Sequence, residues 1–166
     1  MGDIVELLMV EHQAIRHLSR YIRRNSDEDL IGFHEYLKNV HIEIEEKIVF
    51  PILLEVGDQV DSALKLTIDQ LIVDHKSIDS LESEILSLWK NGRQNTAIEK
   101  TNLYYRLLWD HNLSEDNLVF PLWKKVGEKD MIAAMNEARS IIDNFGRDIY
   151  TELIGLSSGA YLYLTK

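Results

Sequence analysis

The chain has 166 residues, 45% of them hydrophobic and 28% charged, the size and composition of one soluble domain around one core. A formal charge of −10 with no basic stripe leaves no electrostatic footprint for DNA or RNA, so nucleic-acid binding is excluded. The absence of cysteine removes disulfides, thiolate zinc sites, Cys-ligated iron–sulfur clusters and cysteine nucleophiles, so any metal must be held by His, Asp, Glu or Tyr.

No apolar run approaches the ~20 residues needed to span a bilayer. The opening stretch MGDIVELLMVEH carries acids where a secretory leader carries positive charge. The expected setting is therefore cytoplasmic, with no membrane partner. Two prolines and eight glycines punctuate the chain only lightly, which favours a few long helices.

Four amphipathic segments follow in order. The first is expected from about Ile4 to Arg24, with Asp3 as N-cap and Glu6 completing a capping box. The second runs from about Asp27 to Phe50, capped by Ser26, and Pro51 is expected to end or kink it. Its seam reads Leu30, His34, Leu37, His41, Ile44/Glu45, Ile48, in steps of four and three, which is a core-facing face.

The third segment runs from about Asp61 to Lys90, with Gly92 just past its end. Its seam is Leu64, Ile68, Leu71, His75, Ile78, Glu82, Ile85, Trp89. The fourth runs from about Ala97 to Phe120, with a Thr96/Glu99 capping box and Pro121 as its stop. A fifth helix is expected over Met131–Phe145, capped by Asp130 and stopped by Gly146; the tail from Arg147 to Lys166 is open between strand, helical turn and partner contact. Short connections make neighbours antiparallel, so the fold class is all-α, an up-down-up-down four-helix bundle with a C-terminal helix and tail. The expected division is a bundle over 1–127 and an extension over 128–166 that packs on it, caps it or forms a homodimer contact.

The sequence repeats itself at an offset of 70 residues. HIEIEEKIVFPILLEVG (41–57) matches HNLSEDNLVFPLWKKVG (111–127), pairing His41 with His111, Glu45 with Glu115, Phe50 with Phe120 and Pro51 with Pro121. More faintly, EHQAIRHL (11–18) matches DHKSIDSL (74–81), pairing His12 with His75. His41/Glu45 and His111/Glu115 are i, i+4 pairs that share a helix face. Each bundle helix thus offers one histidine, and the six candidate metal ligands are His12, His41, Glu45, His75, His111 and Glu115.

A lone seam histidine is usually a hydrogen-bonded core residue. Four in matched positions with two carboxylates would bury charge without evident partners, at several kcal/mol per ion, against ~5–15 kcal/mol of total stability. Coordination removes that cost, and six ligands suit two ions bridged by two carboxylates. Imidazole and carboxylate without thiolate suit iron, manganese or zinc, and bridging carboxylates in a bundle core favour two iron or two manganese ions.

The doubled H-x-x-x-E followed by V-F-P, preceded in each half by an acid–His–x–x–Ile helix, resembles the hemerythrin family in its HHE cation-binding branch, over residues 1 to about 127. The resemblance implies a two-iron centre in which His12 and His41 hold one ion, His75 and His111 the other, and Glu45 and Glu115 bridge. It also implies O2, NO or peroxide as the small-molecule partner, and the expected function is binding or sensing of O2 or NO or iron handling, with a di-iron enzyme reducing peroxide or NO and a structural bundle with a zinc or fortuitous metal site as the alternatives. Oxygen-carrying hemerythrins have a second histidine one turn after the third-helix one, where this chain has Asp79. They bridge with an aspartate five residues after the fourth-helix histidine, where this chain has Asp116 beside Glu115; Glu115 is preferred for its i, i+4 spacing and its match to Glu45, with Asp116 open as the alternative bridge.

His34 lies seven residues before His41, ~10 Å along the helix axis, too far to bind the same ion. With Glu82 and Tyr104 it is expected to form a polar layer beside the centre, either a buried hydrogen-bonded cluster or a proton relay. His17 is expected at the surface. Trp89, Trp109 and Trp123 are expected as core or rim packing, and the two Phe-Pro steps as packing that closes one end of the bundle.

Overall fold

The seams place apolar side chains on one face of each long segment, so each helix can be stable only by covering that face with another. The computed structural model describes residues 3–22, 27–56 and 62–165 and shows how this is met. Helix α1 is Ile4–Ile22. Helix α2 is a continuous helical run over residues 27–55, α-helical at Asp27–Tyr36, Ile42–Ile44 and Phe50–Glu55, with π-helical turns at Leu37–His41 and Glu45–Val49. Helix α3 is Ser62–Lys90. Helix α4 is Gln94–Ser114, prolonged by a π turn at Glu115–Val119 and a 3-10 turn at Phe120–Lys125. Three further helices follow: α5 (Glu128–Phe145), α6 (Arg147–Leu153) and α7 (Ser158–Leu164). No strand occurs among the described residues. None of the described helices is long and apolar enough to cross a membrane.

Cross-helix pairs fix the directions. On α2 and α3, His34 meets Asp79 while Glu46 meets His75. On α3 and α4, Glu84 meets Lys100 while Asp74 faces His111. On α1 and α4, Ser19 meets Trp109 while His12 meets Asp116. In each couple one number rises as the other falls, so these neighbours are antiparallel and form a helical bundle. The expected seam of α2 from Leu30 to Ile48 is buried throughout. The α3 seam is buried from Ile68 to Ile85, with Leu64 and Trp89 half-buried at its ends. Trp123 lies in the core, Trp109 is half-buried, and His17 is exposed.

Several helix ends follow from local chemistry. The Asp3 carboxylate accepts the Val5 N–H at 2.9 Å, satisfying one of the free donors at the start of α1. At the end of α3, Gly92 takes φ +70°. The Arg93 N–H reaches the Leu88 carbonyl and the Gly92 N–H the Trp89 carbonyl, a Schellman closure that needs a residue tolerant of left-handed backbone. Gly146, with φ +116°, ends α5 as expected.

Other expectations are corrected. α4 starts at Gln94, so Thr96 lies inside its first turn and Arg93 holds the cap position without a side-chain cap bond. Neither proline stops its helix: α2 continues to Glu55 and α4 to Lys125. A proline ring needs room at the carbonyl four residues back, and the wide π turns immediately before Pro51 and Pro121 provide it. α5 begins at Glu128 with Gly127 in the cap position, not at Asp130. The tail is helical, with Ser157 Oγ capping α7 by accepting the Ala160 N–H. The expected cap Ser26 and the expected starts and ends at Asp61 and Arg24 lie outside the described residues.

α5 lays its buried face (Ala134, Met135, Ala138 and Ile142) along α1 and along the π-turned stretches of α2. α5 therefore packs on the first hairpin.

Candidate metal centre

The doubled i, i+4 spacing puts His41 over Glu45 on α2 and His111 over Glu115 on α4, all four facing inward. α1 brings His12 and α3 brings His75 to the same level. The structure thus collects all six candidate ligands, each with its residue less than 5% exposed. They fall into two overlapping groups, His12, His41, Glu45, Glu115 and Glu45, His75, His111, Glu115; within each, one ligand atom per residue lies within 4.8 Å of every other. The two glutamates are common to both groups.

Distances give the arrangement. Glu45 divides its oxygens: Oε1 lies 3.1 Å from His41 Nε2 and 3.7 Å from His12 Nε2, while Oε2 lies 3.3 Å from His75 Nε2. Glu115 Oε2 lies 3.3 Å from His111 Nε2 and 3.4 Å from His12 Nε2. His75 Nε2 and His111 Nε2 face each other at 2.9 Å.

Every histidine turns its other nitrogen outward to an acid. His41 Nδ1 donates to Glu11 Oε2 at 2.7 Å, His75 Nδ1 to Glu46 Oε1 at 2.7 Å, and His12 Nδ1 to Asp116 Oδ1 at 2.8 Å. His111 Nδ1 faces Asp74 Oδ2 more loosely, at 3.7 Å. A carboxylate only accepts, so the proton on each bonded ring sits on Nδ1 and the Nε2 lone pair points inward. This is the support that orients metal-ligating histidines. The pattern obeys the sequence repeat. The acid before each early histidine (Glu11, Asp74) holds the next helix's histidine, and the acid after each glutamate (Glu46, Asp116) holds His75 or His12. Sequence reasoning passed over Glu11 and Asp74 in this role. The signal was the acid standing immediately before His12 and before His75.

The phenylalanines of the two Phe-Pro steps fix ring planes. Phe50 stacks on His75 at 6.1 Å and 7°, and Phe120 on His12 at 5.4 Å and 19°. These two contacts are again related by the repeat.

The donor set can be tested against a cation on its own polar atoms. His12 Nε2, His41 Nε2 and both oxygens of Glu45 and of Glu115 are buried without a hydrogen-bond partner. Leaving a buried polar group unpaired costs ~1–3 kcal/mol, more when it is charged, so so many in one place need a shared positive charge. With protons alone supplying it, burial lowers the His12 pKa, but the neighbouring carboxylates of Asp116, Glu115 and Glu45 outweigh that and hold it well above the ordinary imidazole value. For His111 burial is likewise outweighed, by Glu115 and Asp74, and the pKa is pushed up to about 10. Burial raises the carboxyls of Glu45 and Glu115, but the surrounding histidines outweigh it and bring both below the usual range. Imidazole and carboxylate donors with no sulfur fit iron, manganese or zinc.

Asp79 and Asp116 both stand outside the convergence. Asp116 Oδ2 takes Arg16 at 3.2 Å. Asp79, one turn after His75, turns to Lys38 at 2.7 Å and to His34 Nε2 at 3.1 Å. The expected polar layer is partly formed: the Tyr104 hydroxyl donates to His34 Nδ1 at 3.1 Å, but the carboxylate that His34 touches is Asp79, while the hydrogen bond to Glu82 comes from Ser83.

The family model described as Hemerythrin HHE cation binding domain matches residues 3–123 of the chain. No curated protein and no solved structure gives a significant match.

Proposed function

We propose that this chain, which belongs to the hemerythrin HHE cation-binding family, is a non-haem di-iron protein that binds or senses O2 or NO, or handles iron. The observation that carries the reading is the pair of overlapping ligand groups sharing Glu45 and Glu115. In this reading His12 and His41 hold one ion, His75 and His111 the other, and the two glutamates serve both. Iron in such a centre supplies electrons and Lewis acidity to a small diatomic or peroxide ligand.

The chain's own residues do the rest. Glu11, Glu46 and Asp116 fix the imidazole orientations of His41, His75 and His12, Asp74 faces His111 more loosely, and Phe50 and Phe120 fix ring planes. Val40, Ile44, Ile78 and Leu108, each within a turn of a ligand on its own helix, are buried and apolar, which disfavours bulk water there. Asp79 stands where oxygen carriers have a fifth histidine, and it is committed to Lys38 and His34. The four-histidine set therefore favours sensing or iron handling over dedicated oxygen storage. The expected setting is cytoplasmic. The exposed Ile149, Leu162 and Tyr163 make the C-terminal segment the face for any homodimer.

A second reading, a redox enzyme that reduces peroxide or NO, draws on one observation. Tyr104, His34 and Asp79 form a hydrogen-bonded line from a fully buried phenol to a half-exposed carboxylate, a path along which a proton can be passed. Metal content and optical spectra of iron-grown protein, before and after air and azide, test the first reading. Two irons per chain with azide-sensitive near-ultraviolet bands are expected; zinc or no metal in a folded bundle refutes it. Peroxide turnover with a reductant, lost in Tyr104→Phe, would decide for the enzyme.

A further inference from the structure

The repeat predicts two equal halves of the centre, and the structure breaks that equality at the outer acids. On the His12–His41 side both acids are themselves held. Glu11 is fully buried and uses both oxygens, Oε2 on His41 and Oε1 on the Tyr150 hydroxyl, which donates at 2.5 Å. Asp116, 17% exposed, is tied by Arg16. On the His75–His111 side both matching acids are more exposed, and Asp74 is also looser, although Glu46 still holds His75 at 2.7 Å. Asp74 stands 3.7 Å from His111, is 21% exposed, and is bonded on its outer side by the surface amide of Gln70. Glu46 is 36% exposed. The repeat counterpart of Arg16 is Asp79, which cannot donate to a carboxylate and faces Lys38 and His34 instead.

Tyr150 belongs to α6, beyond both copies of the repeat and beyond the family-matched residues 3–123. α5 carries it over the first hairpin, and its ring is buried between Tyr36 at 6.0 Å and Tyr161 at 5.9 Å. Tyr36 in turn packs against the His41 ring at 6.5 Å. With Oε1 taken by the Tyr150 hydroxyl and Oε2 by His41 Nδ1, both oxygens of Glu11 are satisfied, so turning away from His41 would break both bonds at once. A ligand whose outer partner is locked is slow to swing off its ion. One whose partner is solvated and 3.7 Å away swings off readily.

We propose that the two ions are held unequally, with the His12–His41 ion slow to leave and the His75–His111 ion exchangeable, and that Tyr150 is the positioning residue that makes the difference. The inference rests on the metal-binding reading above. The C-terminal helices are then a working part of the centre.

The test uses the full chain loaded with Co(II), mixed with excess chelator and followed by its visible bands. Two release phases are expected, one ion each. Tyr150→Phe, which keeps the ring and loses only the hydroxyl, should speed the slow phase about 10-fold or more, the scale for removing an outer partner of a metal ligand, and leave the fast phase alone. In the proton spectrum of the Co(II) protein, one exchangeable imidazole N–H, that of His41, should move. The mirror variant Asp74→Asn should speed the fast phase only. A single release phase in the unaltered chain, or a Tyr150→Phe effect on both phases or on neither, overturns the proposal. Should Tyr150→Phe fail to fold, the phases of the unaltered chain and of Asp74→Asn decide it alone. Failure to take up two Co(II) ions would appear in the unaltered chain and would bring down the metal-binding reading itself, whereas two ions released together would bring down only the inequality.

Discussion

Glu45→Gln is the substitution that separates a shared bridging carboxylate from an ordinary buried acid. The side chain keeps its volume and loses its charge. In the metal-free chain, Glu45 lies 3.1, 3.3 and 3.7 Å from three imidazole nitrogens and is fully buried. Breaking a buried pair from one side costs about 3–5 kcal/mol. For a chain of this size each kcal/mol moves Tm by about 2–4 °C, so the chelated variant should melt about 6–20 °C lower. In the metal-loaded chain the consequence is a stoichiometry. Because Glu45 presents Oε1 to the His12–His41 side and Oε2 to the His75 side, its loss removes a donor from both groups, and binding should fall from two ions to none at micromolar metal. His12→Ala and His75→Ala each remove a donor from one group only and should leave one ion bound. Metal analysis after gel filtration, with calorimetric titration, reads both numbers. Glu45→Gln protein that still binds two ions, or that loses only one, refutes the shared-carboxylate geometry.

Three further outcomes follow from the same contacts. In chelated protein, His12, His75 and His111 have folded pKa values above the ordinary imidazole value of 6.5, so their contribution is fully present below 6.5 and is lost as pH rises through the folded values, about 10 for His111. Glu45 and Glu115 act oppositely: their contribution is present above 4.5 and lost as pH falls. The melting temperature of the chelated chain should therefore be highest near pH 4.5–6.5 and decline towards pH 10. Metal excludes those protons and should remove the alkaline decline; a flat chelated profile between pH 6.5 and 9.5 would contradict the charge balance. Arg16→Ala frees Asp116 on one side and should weaken binding of the His12–His41 ion up to about 10-fold, with the other ion unchanged in the same titration. Gly92→Ala meets no atom within 4 Å but must adopt φ +70°, so it should cost about 1–2 kcal/mol in chemical denaturation; a neutral result would mean that the α3–α4 turn relaxes.

What could be read from the residues is what the repeat encodes. The α2 and α3 seams were legible because apolar positions recur at helical spacing and each histidine stands in register with them. The six-residue convergence was legible because H-x-x-x-E occurs twice with the same Phe-Pro after it, which places two carboxylates at one level. The π turns were not legible, since the choice between four- and five-residue hydrogen-bonded rings leaves no mark on side-chain type. That is why Pro51 read as a helix end or kink and Pro121 as a stop while the backbone had already widened to admit them. Thr96 and Glu99 had the form of a capping box, but the turn built on Gly92 starts α4 at Gln94, before either of them. Glu11 and Asp74 were legible in principle, because a ligating imidazole needs an acceptor for its second nitrogen, and asking where that acceptor lies points to the acid repeated before each histidine. Tyr150 was not: it has no repeat partner and touches Glu11 across 139 positions. A repeat can specify only what its two copies share. The inequality between the halves, which decides how each holds its ion, had to come from the segment that is present once.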